Sequence, residues 1–302
     1  MGKKSLVVQS NLLVESCYKT SLTELRLLAA VISRINRTDT DFQDYEFPVH
    51  ELANLLEIDQ FSAYREIQKA AKSLLSQPVV IRERNKEITV NFLSSSIYYK
   101  TKGIVSFRFD PALKPYLLQL KDCFTSVNFA VVVKFKSVYS IRMYYLLKQY
   151  QPVGKRVIAV DELKAMLCLT DKYQGFTDFK RWVLEAAKKD FEAENEDGSK
   201  KSDITFEFEL LRRGRAVASI TFIIIEQQQR KPEQQKSLTA AAPGRAARIN
   251  RLPFEHDEAF GFWLAQKGLT VDLLQWAESG QNSFICKASY NDFLRERENG
   301  RS

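Results

Sequence analysis

Thr177, Arg181 and Lys188 are spaced by four and seven residues, so they fall on one side of any helix that contains them, with Lys180 at its edge. Their chemistry is recognition, not bond making. A guanidinium is a planar fork that matches guanine O6 and N7, and an ammonium is a point charge suited to phosphate. A second group, Arg212, Arg213 and Arg215, surrounds Gly214 in LLRRGRAV (210–217). Gly214 permits a tight turn between two strand-like runs, ITFEFELL and AVASITFIII. No acid lies within that turn, so phosphate contact suits it better than simple solubility. A third group, Arg65, Lys69 and Lys72, shares one face of residues 62–75, while Tyr64, Ile67, Ala71, Leu74 and Leu75 face inward.

Bond-making chemistry lacks its usual residues. The two histidines, His50 and His256, lie in different segments, and no GxxxxGK[ST] loop occurs. Asp39, Asp41 and Asp44 sit in a polar loop and are expected to be solvated. We expect no enzyme activity, no metal and no cofactor. Cys17, Cys123, Cys168 and Cys286 form no CxxC pair and are expected to be buried thiols rather than disulfides or zinc ligands, which fits a cytoplasmic protein.

These groups must be carried by folded elements. The chain has 302 residues, 45% hydrophobic and 27% charged, which suits about two globular domains. Net charge is +8, and the surplus is uneven. Lys plus Arg against Asp plus Glu is 17 to 14 over 1–130, 17 to 13 over 131–225 and 11 to 10 over 226–302. An anionic partner is implied, and it belongs to the first two segments. No run of about 18 apolar residues exists to span a membrane, and the broken apolar stretch of MGKKSLVVQSNLLVES does not make a signal peptide.

Residues 20–36 read as a helix with a Ser21/Glu24 capping box. Residues 37–46 read as a loop, and 47–59 as a short helix starting after Pro48. Residues 62–75 form another helix, ended by Pro78. Strand-like runs follow at 79–83, 88–93, 96–100 and 104–109, with a short helix near 116–120. The pattern then recurs. Ile158, Val160, Leu163, Met166 and Leu167 mark one helix. Phe179, Trp182, Val183, Ala186, Ala187 and Phe191 mark the inner side of the next, with Leu184 on the far side beside the basic residues. FPVHELANLLEID (47–59) aligns without a gap with IAVDELKAMLCLT (158–170), setting Val49 on Val160 and Glu51 on Glu162. Upstream, Arg26 falls on Arg142. Downstream, Phe61 and Tyr64 match Phe176 and Phe179, and the strands after Leu75 match 204–211 and 216–225. Taken singly, the second helix is also compatible with a plain amphipathic surface helix. Repeated in order, three helices and a hairpin describe a duplicated winged helix. The expected fold is α+β: two tandem winged-helix domains, 1–130 and 131–225, a linker over 226–253 and a small helical region over 254–302.

The segments VVQSNLLVESCYKTSLTELRLLAAVISRI (7–35) and YSIRMYYLLKQYQPVGKRVIAVDELKAMLCLTDKYQGFTDFKRWVLEAAKKDF (139–191) resemble the iteron-binding replication initiators, or Rep proteins, of theta-replicating bacterial plasmids. The resemblance runs in order over about residues 6–225. It implies two pseudo-symmetric winged helices that bind tandem direct repeats (iterons) in double-stranded origin DNA as monomers. It also implies a homodimer through the first domain that represses its own gene, and recruitment of the host replication initiator and helicase. By position it assigns the second recognition helix to 177–191, where Thr177, Lys180, Arg181 and Lys188 lie, and the equivalent role in the first domain to Arg65, Lys69 and Lys72. Ile97, Tyr98, Tyr99 and Phe107 are either dimer-forming strand residues or core. Beyond the resemblance, 226–237 is Gln-rich and reads as a linker. Arg245, Arg248 and Arg251 form a basic turn or part of that connector. Phe260, Trp263, Leu264, Leu273, Leu274, Trp276 and Phe293 make a small core or dock on a partner. A winged-helix transcriptional repressor without an initiation role is the alternative function.

Overall fold

The computed structural model describes residues 5–227, so every expectation for 228–302 falls outside the described residues. The chain opens with β1 (Leu6–Ser10), whose Ser10 hydroxyl caps α1 (Asn11–Glu15) by accepting from Leu13 N at 3.2 Å. Then comes α2 (Leu22–Ile32), where Ser21 and Glu24 form the expected reciprocal capping box, a device that contributes about 1 kcal/mol. Eight of the eleven residues of α2 are buried, so it is a central helix rather than a surface one.

The first copy of the repeat continues with β2 (Tyr45–Pro48), α3 (Val49–Leu56) and α4 (Ala63–Leu74). A hairpin of β3 (Pro78–Glu83) and β4 (Lys86–Asn91) follows, and then β5 (Leu93–Tyr99) and β6 (Ile104–Phe109). After α5 (Lys114–Leu117), β7 (Phe124–Asn128) returns to pair antiparallel with β1. This small sheet was not anticipated, because its partners lie at opposite ends of the copy. The second copy comprises α6 (Phe129–Val132), α7 (Val138–Lys148), β8 (Lys155–Ala159) and α8 (Val160–Met166). It continues with α9 (Phe176–Phe179), α10 (Ala186–Glu192), β9 (Ile204–Arg213) and β10 (Ala216–Glu226). A wide π-type turn over Lys180–Glu185 joins α9 to α10 in one continuous helix.

Sheet order shows how the copies correspond. One sheet is β2-β6-β5 and the other is β8-β10-β9, so in each the strand before the second helix pairs with the last strand. The counterpart of β9–β10 is therefore β5–β6. The β3–β4 hairpin, which directly follows Leu75, is an addition to the first copy, so of the strands after Leu75 only β5 and β6 correspond to 204–225. Ile158, expected on a helix, lies on β8 opposite Ile220, because the chain is still extended there and turns helical only at Val160. Two further details repeat. Glu57 and Cys168, equivalent in the gapless alignment, both end their helices in the left-handed conformation, at φ 54° and 55°. Arg26 donates to Leu56 O at 3.0 Å and Arg142 to Met166 O at 2.9 Å, so each copy closes the C-terminus of its second helix with a guanidinium from its first.

The copies are tied together. Arg142, 3% exposed, also donates to Ser16 O at 2.7 Å and lies over the Tyr18 ring. Arg156 pairs with Glu15 at 2.8 Å. Cys17 and Cys168 are joined as a disulfide with Cα atoms 5.3 Å apart, not kept as separate thiols, and Cys123 is exposed. Spacing could not show this, since 151 residues separate the pair and only the docking of α1 against α7 of the second copy brings them together. Packed aromatic rings of Phe135, Tyr144, Phe191, Phe206 and Phe222 seat α10 on its sheet, each burial contributing about 1.5–3 kcal/mol.

Candidate nucleic-acid interface

The second copy presents its basic residues from a helix whose buried side is unusually regular. Phe179, Val183, Ala187 and Phe191 are all fully buried, one every four residues. In a uniform α-helix that spacing drifts by about 40° per step; the wide turn at Lys180–Glu185 takes up part of the drift. The buried face also differs from the expected one. Leu184, expected outside, is fully buried, and Trp182, expected inside, is 54% exposed. Measured from the middle of the four-residue series, Trp182 lies roughly 120° away and Leu184 considerably nearer. The turn leading into this helix is held by Lys164 Nζ, which donates to Tyr173 O at 2.9 Å and lies over the Phe179 ring.

The four predicted residues of this helix differ in freedom. Thr177 and Arg181 are exposed. The Arg181 guanidinium lies 5.0 Å from the Trp182 ring, a cation–π stack that contributes about 0.5–1 kcal/mol at an exposed site. Lys180 pairs with Glu185 at 3.2 Å and reaches over Phe208. Lys188 is half-buried and donates to both oxygens of Glu207 on β9, each at 2.6 Å. The Glu207 carboxylate holds the Lys188 ammonium above the usual lysine range, so Lys188 is charged but already matched. Asp178, Glu185 and Lys189 complete the exposed stripe. Carboxylates there can accept from cytosine N4, as the guanidinium can donate to guanine.

Beyond the helix, the β9–β10 hairpin carries Arg212, Arg213 and Arg215. Arg213 pairs with Ala216, leaving Gly214 and Arg215 as a two-residue turn. Gly214 sits at φ +63°, the left-handed value that the first position of such a turn requires. All three arginines are exposed, and none forms an ion pair among the described residues. The tip can meet phosphates without first breaking an internal pairing.

In the first copy, Arg65, Lys69 and Lys72 on α4 are exposed, and Arg65 is 3.5 Å from its neighbour Glu66. Tyr64, expected inside, is exposed and packs its ring edge on Tyr98, while Phe61 in the preceding turn is fully exposed. Their proposed counterparts, Phe176 and Phe179, pack on each other. The mismatch arises because the first turn is shorter and is held by polar contacts, Gln60 Nε2 donating to His50 O and Asn54 Oδ1. Among the strand residues weighed as dimer or core, Phe107 is fully buried, Tyr98 half-buried, and Ile97 and Tyr99 exposed. Asp41 and Asp44 are not merely solvated: they pair with Lys114 at 2.8 Å and Arg108 at 2.7 Å.

Sequence reasoning missed the first copy's own wing tip. Tyr99 pairs with Ile104, so Lys100, Thr101, Lys102 and Gly103 form the turn, with both lysines exposed and Gly103 at φ +62°. The signal was present as KTKG between two strand runs, but its meaning depended on knowing which hairpin is the wing. On the β3–β4 hairpin, Arg82–Glu87 and Lys86–Glu83 pairs match four charges, and Arg84 in the turn is exposed.

Two family models match the chain in tandem. Residues 6–148 match the family model described as Initiator Replication protein, WH1, and residues 159–224 match Initiator Rep protein, WH2. A Replication initiation protein of Escherichia coli is 28% identical over 194 residues, which span 61% of this chain and 61% of that relative. Among solved structures, the Pi initiator protein in complex with iteron DNA superposes with a TM-score of 0.61 at 21% identity, covering 76% of this chain and all of that one. At that identity the likeness speaks to the fold.

Proposed function

The chain belongs to the replication initiator (Rep) family with tandem WH1 and WH2 winged helices, and from that premise we propose that it initiates plasmid replication by binding tandem direct repeats in double-stranded origin DNA. The observation that carries this is the pairing, in one compact body, of two helix-turn-helix units with two unpaired basic wing tips, Lys100/Lys102 and Arg212/Arg213/Arg215. The likeness to a fold solved on iteron DNA supports it. The domain division proposed is 1–130 and 131–225. Arg181 and Thr177 read bases. The wing arginines, with Arg65, Lys69 and Lys72, grip phosphates and supply salt-dependent affinity. Lys180 and Lys188 contribute long-range charge rather than free donors.

The proposal extends to a homodimer that represses the protein's own gene, to recruitment of a host initiator and helicase, and to work in the cytoplasm without catalysis by the chain itself. No helix among the described residues is long and apolar enough to cross a membrane. The test is replication. The gene with its flanking DNA should maintain a plasmid that lacks any other origin. Binding to a flanking palindrome without such maintenance would instead identify a repressor with no initiation role.

A further inference from the structure

The outward stripe of the second recognition helix is built from Asp178, Arg181, Trp182, Glu185 and Lys189, each three or four positions from another of them and all exposed. Four of these are charged, as a solvated or DNA-facing side should be. Trp182 is the exception. It is the largest side-chain type, is 54% exposed, and stands among residues whose neighbours on the far side are fully buried. Folding does not require it there, since Phe179, Val183, Leu184, Ala187 and Phe191 already complete the core face. Arg181, the freest guanidinium on this helix, lies against its ring.

Resting on the DNA-binding role proposed above, we infer that Trp182 is a specificity-determining residue whose indole packs against thymine 5-methyl groups in the major groove. The thymine methyl is the one apolar feature that a base edge presents there. An exposed indole on a recognition helix is the side chain suited to it, and a stacked guanidinium beside it is held ready for an adjacent guanine. The two neighbours together read a thymine-guanine step, the methyl by apolar contact and the O6/N7 edge by donation.

The test begins by letting the whole protein select sites from a pool of random-sequence duplexes. The thymines of the selected site are then replaced one at a time by uracil, which removes only the methyl. Wild-type protein is expected to lose about fourfold in affinity at one or two positions, the value of one buried methyl-sized group. Trp182→Ala should bind the thymine site more weakly and be indifferent to uracil at those same positions. Trp182→Phe should retain part of the dependence. Trp182→Lys, which keeps a long helix-forming side chain, should abolish the methyl dependence while raising affinity for random DNA. Thermal unfolding should match wild type, because the side chain is outside the core. If no sequence is enriched by the wild type, the DNA-reading role itself fails, and the inference with it. If a site is enriched but uracil penalties are the same in wild type and Trp182→Ala, only the inference fails. A change in self-association with unchanged base preference would likewise overturn it, assigning the indole to a protein contact.

Discussion

The two helix-turn-helix units share a strand order, a left-handed helix stop and a guanidinium clamp, yet they present different chemistry. The first offers Arg65, Lys69 and Lys72 from α4, with Phe61 and Tyr64 exposed at its start and two lysines on its wing. The second offers an Arg181–Trp182 stack and nearby carboxylates from its helix, and three arginines from its wing. Of its lysines, Lys180 and Lys188 are engaged by Glu185 and Glu207, and Lys189 is exposed. The difference teaches that duplicating a fold duplicates its scaffold contacts, not its surface. Arg26 and Arg142 kept their task because a helix C-terminus must be satisfied wherever it is built. No such constraint holds the outward faces alike, so one copy presents mostly ammonium charges and the other mostly guanidinium forks.

Four experiments probe that contrast, taken from the largest expected effect. Arg142→Met leaves Ser16 O and Met166 O without their charged donor in a buried site and should lower stability by about 3 kcal/mol in urea unfolding. The equivalent Arg26→Met should cost less, because its guanidinium is less deeply enclosed. A larger loss at Arg26 would mean that the two clamps are not equivalent. Next, Arg181→Ala should weaken binding to the chosen repeat by about 1–3 kcal/mol and flatten discrimination among repeat variants. Lys69→Ala should weaken every duplex alike, and equal behaviour of the two variants would erase the distinction between copies.

Third, the triple alanine variant of Arg212, Arg213 and Arg215 should reduce the slope of log affinity against log salt by about 2.7, and the Lys100/Lys102 double variant by about 1.8. Both should act without regard to sequence. An unchanged slope in either would show that the wing is exposed but not engaged. The smallest effect is expected at Lys188. Because Glu207 already matches its charge, Lys188→Ala should change DNA affinity by no more than about 0.5 kcal/mol. Glu207→Gln should free the ammonium and strengthen binding to any duplex at low salt.

Much of this was legible in the residues. The Ser21/Glu24 box, the Gly214 turn and the strand runs at 79–83 and 104–109 depend on neighbours a few positions apart, and they formed as expected. The gapless match of 47–59 to 158–170 has a structural counterpart in the shared left-handed helix stop at Glu57 and Cys168. Composition alone placed the surplus positive charge in the two repeated segments. Local propensity and internal repetition are written in contiguous residues, so the number, order and kinship of the elements could be read directly.

The tertiary structure decided how those elements face one another. Grouping Trp182 with Phe179 put it inside and Leu184 outside, and the four-residue series that packs on the core reversed them. Lys188 became a paired charge only when β9 brought Glu207 beside it. The wing of the first copy was recognised only when β6 was seen to pair with β2, which made Lys100 and Lys102 its tip. Cys17 and Cys168 met only because α1 docks against the second copy. Each of these outcomes turns on contacts between segments far apart in the chain, or on a backbone period that those contacts select, and neither is encoded in the spacing of nearby residues.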